Sequence, residues 1–257
     1  VEVGVMQSMA LLLAGLFLPL FPMSIVFNFV FQRASAAWLR VILLLVWPLP
    51  GLWLIENSSS ELVDTFMLWA LFTSILYAFR TVVIKELSVW TGFIATSAWS
   101  LLWVAEYLGA TVDELMMHAF AFSLPLVLLA ILVARLERQY ESAYAGVVTG
   151  LAQEQPRMTG LIVVVMLAVI GSPLFPSFFS LLSNINDVVM VMPSISLAIV
   201  LVWLLWSWSG IRLLQELVVG DPVVIQYDDI SQSVTMLFFV SFILLVAGGL
   251  YMSEVLL

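Results

Sequence analysis

Apolar runs of about 20 residues recur along the whole chain and are separated by short polar segments. A run of this length is what an α-helix needs to cross the hydrocarbon core of a bilayer. The pattern predicts a single transmembrane domain over residues 1–257, with the all-α fold of a polytopic helix bundle. We place its eight spans near residues 9–31, 37–55, 62–79, 87–107, 114–134, 159–182, 191–211 and 233–252.

Two of these spans contain a glycine followed by two prolines. The first reads GLFLPLFP, with Pro19 and Pro22, and the second reads GSPLFP, with Gly171, Pro173 and Pro176. Proline lacks a backbone donor and frees a carbonyl group, which in lipid needs a partner from protein or from a wet cavity. We therefore predict that both helices are broken here. Paired interruptions are typical of an ion or substrate path, and the alternative is a kink that serves packing alone.

The composition supports a membrane protein. The chain is 63% hydrophobic and 10% charged, with a mean hydropathy of +1.16, whereas soluble domains are about 45–50% apolar and about 25% charged. Because no segment remains to form a sizeable soluble core, catalysis in bulk water is disfavoured. The chain has no cysteine and one histidine, which excludes disulfides, thiolate metal sites and multi-histidine metal or haem sites within it. We expect no cofactor and no metal.

The charges are distributed asymmetrically between the two predicted faces. All eight lysines and arginines fall in or beside the loops that follow odd-numbered spans, and the opposite face carries only acids. The positive-inside rule then places both termini on the non-cytoplasmic side of the inner membrane. The net charge of −9 is explained mainly by a solvated outer face. The N-terminal segment has no basic residue, so we expect the first span to be retained rather than cleaved as a signal peptide.

Several polar and aromatic features near the basic face are explained by membrane anchoring, solvation or packing, without a binding or catalytic function. Arg40 is expected to anchor its span at the lipid headgroups by snorkelling. Residues 135–158 are expected to form an amphipathic connector at the membrane surface. Asp228 and Asp229 could ligate a cation, but a solvated turn is the favoured interpretation. The tryptophan clusters, such as WLLWSWSG at 203–210, are expected to form interfacial belts or to face lipid.

The strongest candidates for a proton path are Glu114 and His118. They are four residues apart, so they share one helix face, and His118 lies about one turn inside the membrane edge. Ionisable residues inside a membrane are usually functional, and histidine is suited to proton transfer. The alternative is a solitary histidine bonded to a neighbouring helix. Lys85 and Glu86, at the start of their span, are further candidates, although interfacial anchoring is the favoured interpretation for them. Glu106, near the outer end of the same span, is a candidate for either role.

Five segments carry a resemblance to a known family over nearly the whole chain. They read LLLAGLFLPLFPMSIVFNF, RTVVIKELSVWTGF, MMHAFAFSL, GLAQEQPRMTGLIVVVMLAVIGSPLFPSFFSLL and GIRLLQELVVGDP. In this order they resemble the antiporter-like proton-translocating subunits of respiratory complex I, and their relatives in Mrp-type antiporters, membrane hydrogenases and DAB-type inorganic-carbon pumps. The resemblance covers the C-terminal half of that family, from its seventh to its fourteenth helix, and implies the same orientation as the charge pattern.

The resemblance also identifies departures that bear on function. The family carries protons on lysines, or on a lysine or glutamate, at three positions that are occupied here by Phe17, Phe122 and Leu181. None of these side chains can titrate. The resemblance therefore implies a half-length, partly degenerate subunit of a larger energy-coupled membrane complex, which contributes to or supports proton or cation translocation.

A second hypothesis remains open from the sequence. The chain could be a proton-inert scaffold that seats a catalytic partner, for example in a DAB-type bicarbonate uptake system or in a relative of complex I or of membrane hydrogenases. An enzyme is disfavoured because Gly-x-Ser-x-Gly and His-Glu-x-x-His arrangements are absent. The expected partners are lipid and other membrane subunits, including a full-length antiporter-like paralogue, and no nucleic acid is expected.

Overall fold

The computed structural model describes residues 2–57, 64–221 and 227–256, and these ranges are helical with no β-strand. The prediction of an all-α fold is confirmed. The first helices are α1 (Glu2–Phe17), α2 (Ser24–Arg33), α3 (Ala37–Val46), α4 (Pro48–Glu56), α5 (Asp64–Thr81), α6 (Leu87–Ser100) and α7 (Leu102–Tyr107). They are followed by α8 (Val112–Tyr140), α9 (Leu151–Glu154), α10 (Pro156–Val169), α11 (Pro176–Val189), α12 (Pro193–Val218) and α13 (Gln232–Leu256).

Within the described ranges, five helical segments are long and apolar enough to cross a membrane: Ala37–Glu56, Leu87–Tyr107, Val112–Tyr140, Pro193–Val218 and Gln232–Leu256. The protein is therefore a multi-pass membrane protein. Of the other three predicted spans, two are interrupted and correspond to α1 with α2 and to α10 with α11. The third corresponds to α5, although residues 62 and 63 of that predicted span lie outside the described ranges. The count of eight crossings and the orientation remain predictions.

Several helices extend beyond their predicted spans. Helix α8 continues to Tyr140 and α12 continues to Val218. The predicted surface connector at 135–158 is thus wrong in its first part, because residues 135–140 are a continuation of α8. The chain then folds against the start of α6, where the backbone N–H of Leu87 donates to Ala143 (3.0 Å) and that of Ala145 donates to Lys85 (2.8 Å).

The predicted break in the first span is confirmed, since α1 ends at Phe17 and α2 begins at Ser24. The carbonyl groups freed between these helices are hydrogen-bonded by side chains from other helices, as lipid burial demands. Three of the four donors are indole N–H groups. The bonds run from Trp47 to the carbonyl of Leu16 (3.2 Å), from Trp103 to Leu18 (2.9 Å), from Ser100 to Pro19 (2.9 Å) and from Trp69 to Phe21.

The predicted break in the second long apolar run is also confirmed, since α10 ends at Val169 and α11 begins at Pro176. Gly171 adopts a left-handed conformation with a φ of +74°, and a Cβ there would lie 2.8 Å from Cδ1 of Leu181. Both facts require glycine. The freed carbonyls again have donors: Trp203 to Ile170 (3.0 Å), the backbone of Ser172 to Leu167 (3.0 Å) and Ser177 to Ala168.

Four tryptophans are fully buried inside the bundle, and for Trp206, the one of them that lies in the 203–210 cluster, the predicted interfacial or lipid-facing position is wrong. An indole buried in an apolar core needs an acceptor for its N–H group, and serine hydroxyls and freed carbonyls supply these acceptors. Trp208, with 67% of its surface exposed, does fit the predicted outward position. The fully buried ones and their acceptors are Trp90 with Ser209, Trp99 with Ser123, Trp103 with Leu18 and Trp206 with Ser97.

Arg40 does not extend to the headgroups as predicted. Only 5% of its surface is exposed, and its Nε donates to the carbonyl of Ala34 at 2.7 Å. Its guanidinium also donates to the carboxylate of Glu137 at 2.8 Å and so joins α3 to α8. The extension of α8 places the Glu137 carboxylate next to Arg40. Because the guanidinium has this charged partner inside the bundle, it does not need to extend to the lipid headgroups.

The contacts of charged residues define two ends of the bundle. Ion pairs and hydrogen bonds bring Arg40 to Glu137, and Lys85 to Glu216, at one end of the bundle, which we call the basic end. At the other end, which we call the acidic end, Tyr107 donates to Asp64 at 2.5 Å. At the predicted solvated turn Asp228 is exposed, whereas the carboxylate of Asp229 accepts backbone N–H groups at the start of α10 and caps that helix.

Candidate functional site

A cavity of about 350 Å³ opens at the acidic end of the bundle. Its walls come from the turn after α7, the first turns of α8, the last turns of α11 and the end of α13. The polar side chains in its lining are Glu114, His118, Ser183 and Asp187. The cavity brings together two of the predicted proton-path residues, Glu114 and His118, with two polar residues of α11.

His118 is buried, with 2% of its surface exposed, although its ring reaches the cavity wall. Its Nδ1 atom is 2.7 Å from the hydroxyl of Ser180 on α11. Either group can be the donor, because the tautomer of the imidazole decides the direction. The structure thus contains the alternative foreseen for a solitary histidine, a hydrogen bond to a neighbouring helix, within the wall of a polar cavity.

Glu114 is hydrogen-bonded to Thr111 at the start of α8. Its carboxylate accepts from the backbone N–H of Thr111 (2.6 Å) and from the Thr111 hydroxyl (2.9 Å), and its own N–H donates to that hydroxyl (3.3 Å). This is a reciprocal capping box, which stabilises the first turn of the helix. Glu114 therefore has a structural function in addition to its position in the cavity wall.

A stripe of polar residues on α11 faces these two side chains, and the sequence analysis did not identify it as part of a site. The stripe contains Ser177, Ser180, Asn184 and Asp187, spaced three to four residues apart. That spacing places them on one helix face and is the signal that could have revealed the stripe. Asn184 donates to the Ser180 carbonyl at 2.8 Å, and its buried Oδ1 has no partner in the described structure.

Asp187 lies beyond the predicted end of its span, at the mouth of the cavity. Partial loss of hydration raises its pKa, a weak hydrogen bond from Ser183 at 3.4 Å opposes this rise, and the nearby charge of Glu114 adds to it. Two carboxylates and a histidine thus share one small volume. Such an arrangement can exchange protons with water at the acidic end.

Lys85 and Glu86 lie at the opposite, basic end, so the structure does not bring them to His118. Lys85 forms an ion pair with Glu216 at 3.2 Å, and Glu216 also binds Arg212 at 3.3 Å. Glu86 accepts a hydrogen bond from Ser88 at 2.8 Å, next to the first turn of α6. These contacts match the interfacial-anchor interpretation better than a shared path.

Glu106 is half-buried in α7 and is not part of the cavity wall, which its neighbour Ala105 lines instead. Within the described ranges its carboxylate forms no hydrogen bond or ion pair. In the same ranges no cluster of three or more histidine, aspartate or glutamate side chains could hold a metal ion.

The interior between the two ends contains hydroxyl and amide groups rather than charges. Ser24 bonds Tyr77 (2.9 Å), Asn28 donates to Thr96 (2.8 Å), and Ser74 pairs with Ser97 (3.1 Å). No lysine, aspartate or glutamate lies in the middle of any predicted span.

The three positions implied as proton carriers by the family resemblance are filled by packed apolar groups. Phe17 contacts the ring of Trp47 at 5.7 Å between centroids, and Phe122 contacts that of Trp206 at 6.0 Å. Leu181 is fully buried against Gly171. The site thus consists of one polar cavity at the acidic end of an otherwise uncharged core.

The chain shares its fold with membrane-complex proteins. Its structure matches a chain of respiratory complex I from Thermus thermophilus with a TM-score of 0.82 at 15% identity, covering 94% of this chain and 54% of that one. It matches a chain of the archaeal membrane-bound sulfane sulfur reductase with a TM-score of 0.81 at 14% identity (94% and 51%). A chain of the Mrp complex from Dietzia sp. gives a TM-score of 0.84 at 12% identity (98% and 57%).

These matches confirm, at the level of the fold, the resemblance to antiporter-like subunits. The chain spans about half the length of the solved chains that it matches. By sequence, it is 24% identical over 207 residues to an uncharacterized protein of Aquifex aeolicus, covering 79% of this chain and 82% of that protein. No family model matches the chain.

Proposed function

We propose that this chain is a half-length, antiporter-like subunit of a larger energy-coupled membrane complex, and that it supports proton or cation translocation by neighbouring subunits. Its partners would be other membrane subunits, including a full-length antiporter-like paralogue. The fold shared with chains of three membrane complexes supports this general role.

The observation that carries the proposal is the presence of apolar side chains at the three implied relay positions. A proton needs titratable groups or water at short intervals, and Phe17, Phe122 and Leu181 occupy the three implied relay positions. Carbonyls at both helix breaks accept hydrogen bonds from tryptophan and serine side chains, which supports a packing function for the breaks rather than ion binding. The broken helices then act as bent packing elements that give the subunit its shape.

A second candidate function is favoured by the cavity at the acidic end. Glu114, His118 and Asp187 could form one half of a proton path that continues into a partner subunit. In this version the chain contributes a single proton site. The two versions differ in whether the charge of Glu114 and the imidazole of His118 are needed for flux.

The test is proton flux in vesicles that contain the complete assembly, with Glu114→Gln and His118→Gln combined in one variant. If the chain only supports its neighbours, the flux stays within about twofold of the wild type once the amount of assembled complex is matched. A tenfold loss would refute the supporting role and favour the single proton site. Ser253→Ala, at a half-buried position on α13 that does not line the cavity, serves as the control.

The proposal includes more than one possible host complex. A bicarbonate uptake system, a relative of complex I and a hydrogenase relative each fit a membrane scaffold of this shape. Purification of the assembly by a tag on this chain, followed by identification of the co-purified subunits, would distinguish them. Recovery of the chain without any membrane partner would contradict the proposal.

A further inference from the structure

An apolar groove lies between α10 and α13 and shares no lining residue with the polar cavity. It encloses about 660 Å³. One wall is a single face of α10 with Gly160, Leu161 and Val164, and the other is a face of α13 with residues from Thr235 to Val246. Phe175, in the second helix break, also lines the groove.

The length of the groove corresponds to one leaflet of a bilayer. From Thr235 to Val246 an α-helix rises by about 16 Å, at 1.5 Å per residue. The hydrocarbon core of a bilayer is about 30 Å thick, so one leaflet contributes about 15 Å. A groove that begins at the basic end and stops at mid-membrane therefore accommodates a single acyl chain.

The basic end of this groove carries a cation without an acidic partner. Arg157 lines the groove, is exposed, and uses one guanidinium nitrogen to donate to the carbonyl of Ile230 at 3.3 Å. Within the described ranges it forms no ion pair. The carboxylate of Asp229 is close, but its oxygens accept backbone N–H groups of Arg157, Met158 and Ile230.

Two more arginines strengthen the positive field at the same end. Arg135 and Arg138 line a smaller cavity of about 260 Å³ on the other side of α13, together with Val234 and Phe238. The Nε atom of Arg135 is buried without a hydrogen-bond partner, and neither arginine forms an ion pair in the described part of the chain. Basic pockets between helices at a membrane surface are typical sites for anionic lipid headgroups.

We infer that the groove between α10 and α13 binds an anionic phospholipid of the leaflet at the basic end. One acyl chain lies along Gly160, Val164 and Phe242, and the phosphate is bound by Arg157. The inference depends only on the chain spanning a membrane, so it is independent of whether the subunit carries protons.

Gly160 provides a sharp test of the groove. It lies inside α10, and a Cβ built on it meets nothing within 4 Å, so a larger side chain would enter the groove without disturbing the helix packing. Gly160→Leu should therefore block the acyl chain while the assembly still forms. Arg157→Gln should remove headgroup selectivity and leave the groove open. The controls are Leu197→Phe, on an exposed face of α12 (70% exposed), and Arg33→Gln, an exposed arginine outside the groove.

The intact assembly is placed in nanodiscs of equimolar phosphatidylglycerol and phosphatidylcholine, transferred to detergent and washed, and the lipids retained per complex are counted by mass spectrometry. The wild type and both controls should retain phosphatidylglycerol in preference to phosphatidylcholine. Arg157→Gln should lower this preference about fivefold, as expected for the loss of one basic contact. Gly160→Leu should lose about one bound lipid of either kind.

Equal retention of the two lipids by the wild type would overturn the inference, as would variants that behave like their controls. An electron cryo-microscopy map of the wild-type assembly gives an independent readout. Continuous density for an acyl chain between α10 and α13 would support the lipid site. Side-chain density of a partner helix in the groove would overturn it.

Discussion

The guanidinium of Arg40 donates to the carboxylate of Glu137 at 2.8 Å, although 97 residues separate them in the sequence. The pair joins the start of α3 to the end of α8 at the basic end of the bundle. The side chain of Arg40 is 6% exposed, and that of Glu137 is 22% exposed. Helices α3 and α8 are thus joined by a charge pair that the apolar pattern does not encode.

Removing one partner of this pair should be costly. Arg40→Gln leaves Glu137 without its cation, and Glu137→Gln leaves a buried guanidinium unpaired, so each should lower the free energy of unfolding by about 3 kcal/mol. The Arg40→Leu/Glu137→Leu double variant should cost less than either single variant, because no unpaired charge remains. Thermal denaturation of the purified assembly measures these effects, with Arg33→Gln as the exposed control. Additive losses in the double variant would contradict this view.

The tryptophan donors at the helix breaks should matter individually. Trp103→Phe keeps an aromatic ring but leaves the Leu18 carbonyl without a donor, which should cost about 1–3 kcal/mol. Trp208→Phe, at a site with 67% of its surface exposed, should change stability by less than about 0.5 kcal/mol. The comparison is made by thermal denaturation in the same detergent. Equal shifts for the two variants would show that the hydrogen bond at the break is not important.

Two glycines near α10 should respond in opposite directions to the same substitution. Gly171→Ala should destabilise the protein by about 2 kcal/mol, because φ is +74° and the added Cβ meets Leu181. Gly160→Ala should stabilise it by up to about 1 kcal/mol, because Gly160 lies in an open position inside the helix. Denaturation of both variants provides the measurement. A loss at Gly160 similar to that at Gly171 would contradict the geometry of the break.

The sequence predicted the features that depend on local chemistry. The two breaks follow from Pro19, Pro22, Pro173 and Pro176, because the loss of a backbone donor acts within one turn of the helix. The apolar runs likewise predicted the all-α membrane fold. Gly171 was identified in the same way, since it stands next to prolines inside an apolar run.

The sequence did not predict which side chains meet across the bundle. Arg40 was expected in the headgroups because Glu137 lies on a distant helix that extends further than its apolar run indicates. Trp206 is expected at the interface from the sequence because its acceptor, the Ser97 hydroxyl, lies on another helix and meets it only after the bundle packs. The Ser180 partner of His118 was missed because serine alone carries little signal in an apolar helix.

The last prediction concerns the environment of His118, the only histidine in the sequence. Ser180→Ala removes the hydroxyl 2.7 Å from Nδ1, so the nitrogen-15 resonance of Nδ1 should shift more than that of Nε2. The loss of this buried bond should also cost about 1 kcal/mol of stability. Spectra of the histidine-labelled assembly give the measurement, and subtraction of a His118→Gln spectrum assigns the ring signals. Ser183→Ala, which lines the same cavity but bonds Asp187, should leave the Nδ1 resonance in place. An unchanged Nδ1 resonance in Ser180→Ala would mean that His118 is bonded elsewhere, and the cavity would then have to be described with another partner for the imidazole.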